Sequence, residues 1–276
     1  MTIKEALAMM EEAVPDARHE VFLLLEKAAG IPASQLRVED KDFKITTEAA
    51  RMFTEMVDQR RRHEPLQYIL GQWEFMGLPI LCRPGVLIPR GDTEILAAEA
   101  IRFLQNSAKN PVALDLCTGS GCVGIAIAHF CPSAIICLSD IDTAALELAR
   151  DNAELNGVGD RLSFVQSDLF SAIEGTYHCI TVNPPYISSS EMENLQEEVK
   201  KEPALALKGG IDGLDFYRAI IPECRKYLKS KACIFFEVGA GQGKAVADML
   251  RYHGFRAVAI IKDLESRHRV VRGFMI

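Results

Sequence analysis

Apolar residues in the first 70 positions recur every three or four residues. Ile3, Leu7 and Met10 share one helical face, and a second apolar block follows at Val21-Phe22-Leu23-Leu24-Leu25. Gly30-Ile31-Pro32 is a stop signal, and Thr46-Thr47-Glu48 reads as the cap of a later helix running to about His63. No strand pattern interrupts this stretch, so residues 1–70 predict a small all-helical domain. Between 71 and 90 the period changes. Gly71-Gln72-Trp73-Glu74-Phe75-Met76-Gly77-Leu78-Pro79-Ile80-Leu81 alternates polar and apolar around a glycine turn, which predicts a β-hairpin linking two units.

From 91 to 276 strands and helices alternate. A helix is expected over 92–106, then a strand over Pro111–Leu116, a helix after Gly121 and a strand over Ile135–Leu138. A helix over 142–156 and strands over Leu162–Val165 and Cys179–Val182 follow. After a long loop come a helix over 214–228, a strand over Cys233–Glu237, a helix over 242–252, and two last strands near 256–261 and 269–275. Strands separated by helices imply an α/β fold with a doubly wound, mostly parallel sheet. The last two strands have no helix between them, so one strand is expected to be antiparallel. Ligands of such sheets lie beyond the C-terminal strand ends, where the strand order switches.

The 276 residues are 49% hydrophobic and 25% charged, which excludes a disordered chain and leaves room for a sizeable core. A net charge of −7 argues against non-specific coating of nucleic acid. One basic run, Arg60-Arg61-Arg62-His63, is read as a solvated helix end. Eight cysteines show no C-x-x-C spacing and sit mostly in apolar runs, so they read as free thiols in a reducing cytoplasm, with no metal site. The N-terminus lacks the apolar core of a signal peptide, and no apolar stretch is long enough to span a membrane.

The first strand of the sheet runs into Asp115-Leu116-Cys117-Thr118-Gly119-Ser120-Gly121-Cys122-Val123-Gly124, a G-x-G-x-x-G at a strand-to-helix turn. The next strand ends at Asp140, whose carboxylate suits two ribose hydroxyls. Two ligands fit: a dinucleotide such as NAD, with its pyrophosphate on the helix N-terminus, or S-adenosylmethionine. Asp115 favours the second, because it would repel a pyrophosphate and suits the ammonium of a methionine moiety. Asp168 and Leu169 follow the third strand, where a carboxylate can accept from the adenine amine while leucine packs on the ring; a helix cap is the bland alternative.

The fourth strand runs into Asn183-Pro184-Pro185-Tyr186. Consecutive prolines hold the backbone extended and remove two donors, leaving carbonyls free to accept. With the Asn183 amide they can grip a planar –NH₂ group, and Tyr186 can stack on it. Asn-Pro-Pro-Tyr in this place resembles the signature of amino-group methyltransferases acting on DNA adenine, DNA cytosine or protein glutamine.

Further segments narrow the resemblance: Glu64–Gly71, Leu87–Glu94, Glu202–Asp215, Glu237–Gly243 and Asp263-Leu264 through Arg269–Gly273. Together they resemble the bacterial peptide chain release factor N5-glutamine methyltransferases, the PrmC or HemK family, over nearly the whole chain. The resemblance implies a class I S-adenosylmethionine-dependent methyltransferase fold and transfer of a methyl group to the glutamine of the Gly-Gly-Gln motif in release factors. It implies that Asp115, Cys117, Thr118, Gly119, Ser120, Gly121, Asp140, Asp168, Leu169 and Asn183 hold the cofactor. Asn183, Pro184, Pro185 and Tyr186 carry the chemistry and, with Arg90, the substrate. The helical domain is expected to grip the release factor. A cytoplasmic monomer without stable nucleic-acid binding is expected, a DNA or RNA base amino-methyltransferase being the alternative. Two positions depart from the family: Gly91 stands where Pro is usual, and Cys117 where Gly is usual.

Overall fold

Thr2 and Glu5 close the first helix reciprocally. The Thr2 hydroxyl accepts from the Glu5 N–H at 3.1 Å, and the Glu5 carboxylate accepts from the Thr2 N–H at 2.8 Å. The structure, a computed structural model, describes residues 1–275. The chain forms two compact units, Met1–Gln72 with Gln196–Lys201, and Trp73–Leu195 with Glu202–Ile276.

The smaller unit is helical: α1 (Ile3–Ala13), α2 (Val21–Ala29), α3 (Ala33–Leu36), α4 (Thr47–Arg61) and α5 (Leu66–Leu70). Gly30 ends α2 in the left-handed conformation, and Thr46 caps α4 by accepting from the Ala49 N–H at 3.2 Å. Ile3, Met10, Leu24, Leu25 and Phe53 are fully buried.

Here the sequence reading needs one correction. Arg61, Arg62 and His63 are exposed, but Arg60 is only 2% exposed. Phe53, Met56, Val57 and Arg60 stand at i, i+3, i+4 and i+7, so Arg60 falls on the buried face of α4. Its Nε and Nη2 donate to the two Glu20 oxygens at 2.6 and 3.0 Å, Nη2 also to Glu198 Oε1 at 2.9 Å, and Nη1 to the Glu64 carbonyl at 2.7 Å.

The larger unit opens with the hairpin β1 (Gln72–Phe75) and β2 (Leu78–Leu81), turned by Met76 and Gly77 at φ 52° and 77°. The hairpin is tied into this unit by Asn152, which accepts from the Leu81 N–H at 2.6 Å and donates to the Ser120 carbonyl at 2.9 Å. Then follow α6 (Thr93–Leu104), β3 (Val112–Leu116), α7 (Cys122–Phe130), β4 (Ile135–Asp140), α8 (Thr143–Leu155), β5 (Leu162–Gln166) and β6 (Tyr177–Val182). The remainder comprises α9 (Ser189–Met192), α10 (Ala204–Leu207), α11 (Asp215–Cys224), β7 (Leu228–Glu237), α12 (Gly243–Tyr252), β8 (Arg256–Lys262) and β9 (His268–Phe274).

The seven strands order as β5-β4-β3-β6-β7-β9-β8. Only β9 runs against its neighbours, as the missing final helix implied. Strand order reverses between β3 and β6, so the ends of β3, β4 and β6 open on one crevice. Core residues lie on both faces of the sheet, with Ile125, Leu138 and Phe235 in one cluster and Ile180, Ile220 and Phe236 in the other. All eight cysteines are unpaired, and no helix among the described residues is long and apolar enough to cross a membrane.

Candidate active site

The turn after β3 is built on glycine for three different reasons. Gly119 and Gly121 take φ of 54° and 82°, which favour glycine. A Cβ on Gly121 would also meet the Ala149 Cβ at 2.9 Å, and one on Gly124 would meet Leu138 at 3.0 Å, so α7 packs tightly on the sheet. A Cβ on Gly119 would meet nothing within 4 Å. Cys117 shares the left-handed conformation at φ 59°, which explains why glycine suits that position.

Asp115 sits beneath this turn, 2% exposed. Its Oδ2 accepts from the Thr118 hydroxyl at 2.6 Å and the Gly124 N–H at 3.2 Å, and its Oδ1 from the Thr181 hydroxyl at 2.7 Å. Burial nevertheless pushes its carboxyl up to about 6, with the nearby Asp140 carboxylate adding to the rise and these neutral donors holding it down. Asp140 accepts from the Gly119 N–H at 2.8 Å through Oδ2 and from the Asp142 N–H at 3.1 Å through Oδ1. Burial raises its carboxyl too. Two oxygens offer about four acceptor positions, so further hydroxyls can be accommodated.

An open cleft runs over these strand ends. Asp140, Asp142, Ser167, Asp168 and Asn183 are among its polar lining, and Leu87, Leu169, Pro185 and Phe216 among its apolar walls. A narrower cavity beside it is lined by Asp115, Thr118, Gly119, Ser120, Arg90, Thr93 and Asn183. Leu87, Cys117, Gly119 and Asn183 line both, so the two spaces meet between the ends of β3 and β6.

The fold thus brings most of the sequence-predicted residues together. Pro184 and Tyr186 line neither cavity. The Pro184 carbonyl accepts no hydrogen bond among the described residues. Arg90 faces the narrow cavity with its guanidinium paired to the buried carboxylate of Glu202, which also accepts from the Ile88 N–H at 3.0 Å.

Sequence reasoning missed the supports of the Asn183–Tyr186 strap. Ile187 forms a short parallel bridge with Lys208: its N–H donates to the Leu207 carbonyl at 2.9 Å, and its carbonyl accepts from the Gly209 N–H at 2.8 Å. A Cβ on Gly209 would lie 2.7 Å from the Pro185 carbonyl oxygen, so only glycine lets the segments meet. Gln242 Nε2 donates to the Tyr186 carbonyl at 2.8 Å and to the Gly213 carbonyl at 3.2 Å. Tyr186 donates its hydroxyl to Glu237 at 3.4 Å, and Asn183 Nδ2 donates to Thr93 Oγ1 at 3.3 Å. The signal for these partners was their place in the recognised segments after Glu202 and Glu237, without any indication of what they touch.

Residues 2–71 match the family described as PrmC N-terminal domain, and residues 94–210 the methyltransferase small domain. The chain is 39% identical to the release factor glutamine methyltransferase of Thermodesulfovibrio yellowstonii, covering 86% of this chain and 85% of that one. It is 38% identical to the protein of the same name from Geobacter sulfurreducens, covering 96% and 92%. Among solved structures, the T. thermophilus 16S rRNA N2 G1207 methyltransferase with AdoMet and guanosine is similar in fold, with a TM-score of 0.53 at 15% identity over 74% of this chain and 50% of that one.

Proposed function

The chain belongs to the release factor glutamine methyltransferase family, and from that premise we propose that it methylates the side-chain amide nitrogen of the glutamine in the Gly-Gly-Gln motif of peptide chain release factors, using S-adenosylmethionine. The observation that carries this reading is the position of Asn183, on the wall shared by the wide cleft and the narrow cavity. The donor set fits the cofactor. Asp140 has acceptor capacity for ribose hydroxyls, Asp168 and Leu169 line the same cleft and would receive the adenine, and the buried Asp115 carboxylate would be balanced by an amino-acid ammonium. Arg90 would serve the substrate side by shaping the narrow cavity. The small helical unit is the part of the chain expected to hold the release factor.

When bound, S-adenosylmethionine supplies an electrophilic methyl group on a sulfonium. The protein's part is orientation. An amide nitrogen is a poor nucleophile because its lone pair is delocalised. The Asn183 side chain and the Pro184 carbonyl would accept the two N–H groups and hold the nitrogen in line. Such alignment is worth roughly 7–11 kcal/mol. These hydrogen bonds strengthen as positive charge grows on nitrogen, so they favour the transition state. The buried prolines Pro184 and Pro185 fix the strap, and Tyr186 props it from behind.

Peptide mass spectrometry of a release factor incubated with the protein and cofactor tests the reading, with unmethylated DNA in a parallel reaction. One added methyl on the Gly-Gly-Gln glutamine is expected. Asn183→Ala should lower turnover by about 10²–10⁴-fold with cofactor affinity within a few-fold. Methylated DNA beside an unchanged release factor would overturn the choice of substrate.

A further inference from the structure

Glu202 lines neither cavity, and its side chain is only 2% exposed. It nevertheless joins a wall of one to a wall of the other. Its Oε2 accepts from the Ile88 N–H at 3.0 Å and its Oε1 from the Arg90 guanidinium, and Ile88 and Arg90 both line the narrow cavity. The next residue along the chain, Pro203, lines the wide cleft. Among the described residues lining the narrow cavity, Arg90 is the one cation and Asp115 the one anion. Asp115 suits the ammonium of the cofactor. Arg90 then poses a conflict, because a guanidinium repels a sulfonium and opposes the positive charge that grows on an amide nitrogen held at Asn183.

We infer that Glu202 is a positioning residue that, through Arg90, cancels the surplus positive charge of the narrow cavity and so lets the site prefer the cationic cofactor to its neutral product. The inference rests on the proposed reading of Asp115 as the partner of the ammonium and of Asn183 as the grip on the amide. Methyl transfer turns a sulfonium into a thioether. S-adenosylmethionine and S-adenosylhomocysteine therefore differ by one methyl group and one positive charge, while the adenosine, the ammonium and the carboxylate are common to both. A charge beside the sulfonium changes the affinity for the first and leaves that for the second almost untouched. Paired with a buried carboxylate, Arg90 keeps its shape and its place in the wall but brings no net charge.

One carboxylate thus performs two tasks that substitution can separate. As an acceptor for the Ile88 N–H it anchors the wall, and as an anion it balances Arg90. A glutamine in its place keeps an acceptor oxygen but has no charge. An aspartate keeps the charge but is one methylene shorter, so the anchor is lost and the balance stays. The Arg90 side chain is 36% exposed, and water screens it in part. The expected effect of an unbalanced Arg90 is accordingly about tenfold in affinity rather than a loss of binding.

The test is calorimetry of S-adenosylmethionine and S-adenosylhomocysteine binding to the full-length wild type, Glu202→Gln, Glu202→Asp, and a double variant joining Arg90→Gln to Glu202→Gln. Glu202→Gln should weaken the cofactor about tenfold and the product less than about threefold. Glu202→Asp should weaken both alike and keep the wild-type ratio. The double variant, again without net charge, should return to that ratio. An unmoved ratio in Glu202→Gln overturns the inference, since a purely structural role weakens both ligands together. So does a shifted ratio that persists in the double variant or arises in Glu202→Asp. Tighter binding of both ligands by Glu202→Gln overturns it too, because that marks Arg90 as the partner of the carboxylate they share. Where Glu202→Gln does not fold, the other two variants decide: wild-type ratios in both are expected, and a departure in either overturns the inference. A wild type that binds neither ligand overturns the cofactor reading instead.

Discussion

Arg60 in the helical unit and Asp115 in the larger unit are both 2% exposed, yet their surroundings are opposite. Arg60 meets two carboxylates and a carbonyl, with the Glu20 pair bidentate. Asp115 meets two hydroxyls and one backbone N–H, all neutral. A buried charge closed on itself holds a unit together. A buried charge with donors but no counter-charge holds a place for one that arrives. Glu237 belongs to the second kind, with one oxygen left unpartnered.

Four measurements bear on this contrast. The largest effect is expected from Arg60→Met, which strands the buried Glu20 carboxylate and should cost about 3–5 kcal/mol in urea unfolding. A loss below about 1 kcal/mol would equate this pair with a surface ion pair and dissolve the contrast.

The second effect is pH dependence of the cofactor-free protein. Asp115 binds its proton more tightly folded, at about 6, than unfolded, at its ordinary 3.8. Between these values the folded state carries more protons, so stability falls as pH rises, by up to about 3 kcal/mol from this group. Saturating cofactor should flatten that slope, because an ammonium favours the carboxylate. An unchanged slope would mean that no cation reaches Asp115. Asp115→Asn should in turn weaken cofactor binding about 100-fold, roughly 2.7 kcal/mol, by calorimetry.

The smallest effect is expected at a position that carries no charge of its own. Gly91 has open space where a Cβ would stand, so Gly91→Pro should stabilise by about 0.4–1 kcal/mol through the unfolded chain. A destabilisation in thermal unfolding would show that this loop needs its glycine.

The contrast also marks what the amino-acid pattern discloses. The alternation of strands and helices, the lone antiparallel strand and the glycine turn were all readable, because period and turn chemistry are local properties. Asp115, Asp140, Asp168 and Asn183 could be singled out as candidates because each stands at or beside a strand end, and the structure sets them along the two neighbouring cavities. Arg60 was misread because its charge outweighed its helical register with Phe53 and Val57. Glu237 and Thr93 were not read as partners of Asn183 and Tyr186. They meet the strap only after α6 and β7 are brought beside β6, with 90 residues between Thr93 and Asn183 and 51 between Tyr186 and Glu237, and no local pattern encodes such a meeting.

Residues 196–201 fold with the helical unit although their neighbours on both sides fold with the other. The consequence is one of dissection. A fragment ending at residue 72 would carry Arg60 without Glu198 and leave its guanidinium one acceptor short. Conversely, a fragment beginning at 73 would carry a six-residue excursion with nothing of its own unit to fold on. The boundary between the two units is therefore crossed three times by the backbone, and a single cut yields two incomplete pieces rather than two modules.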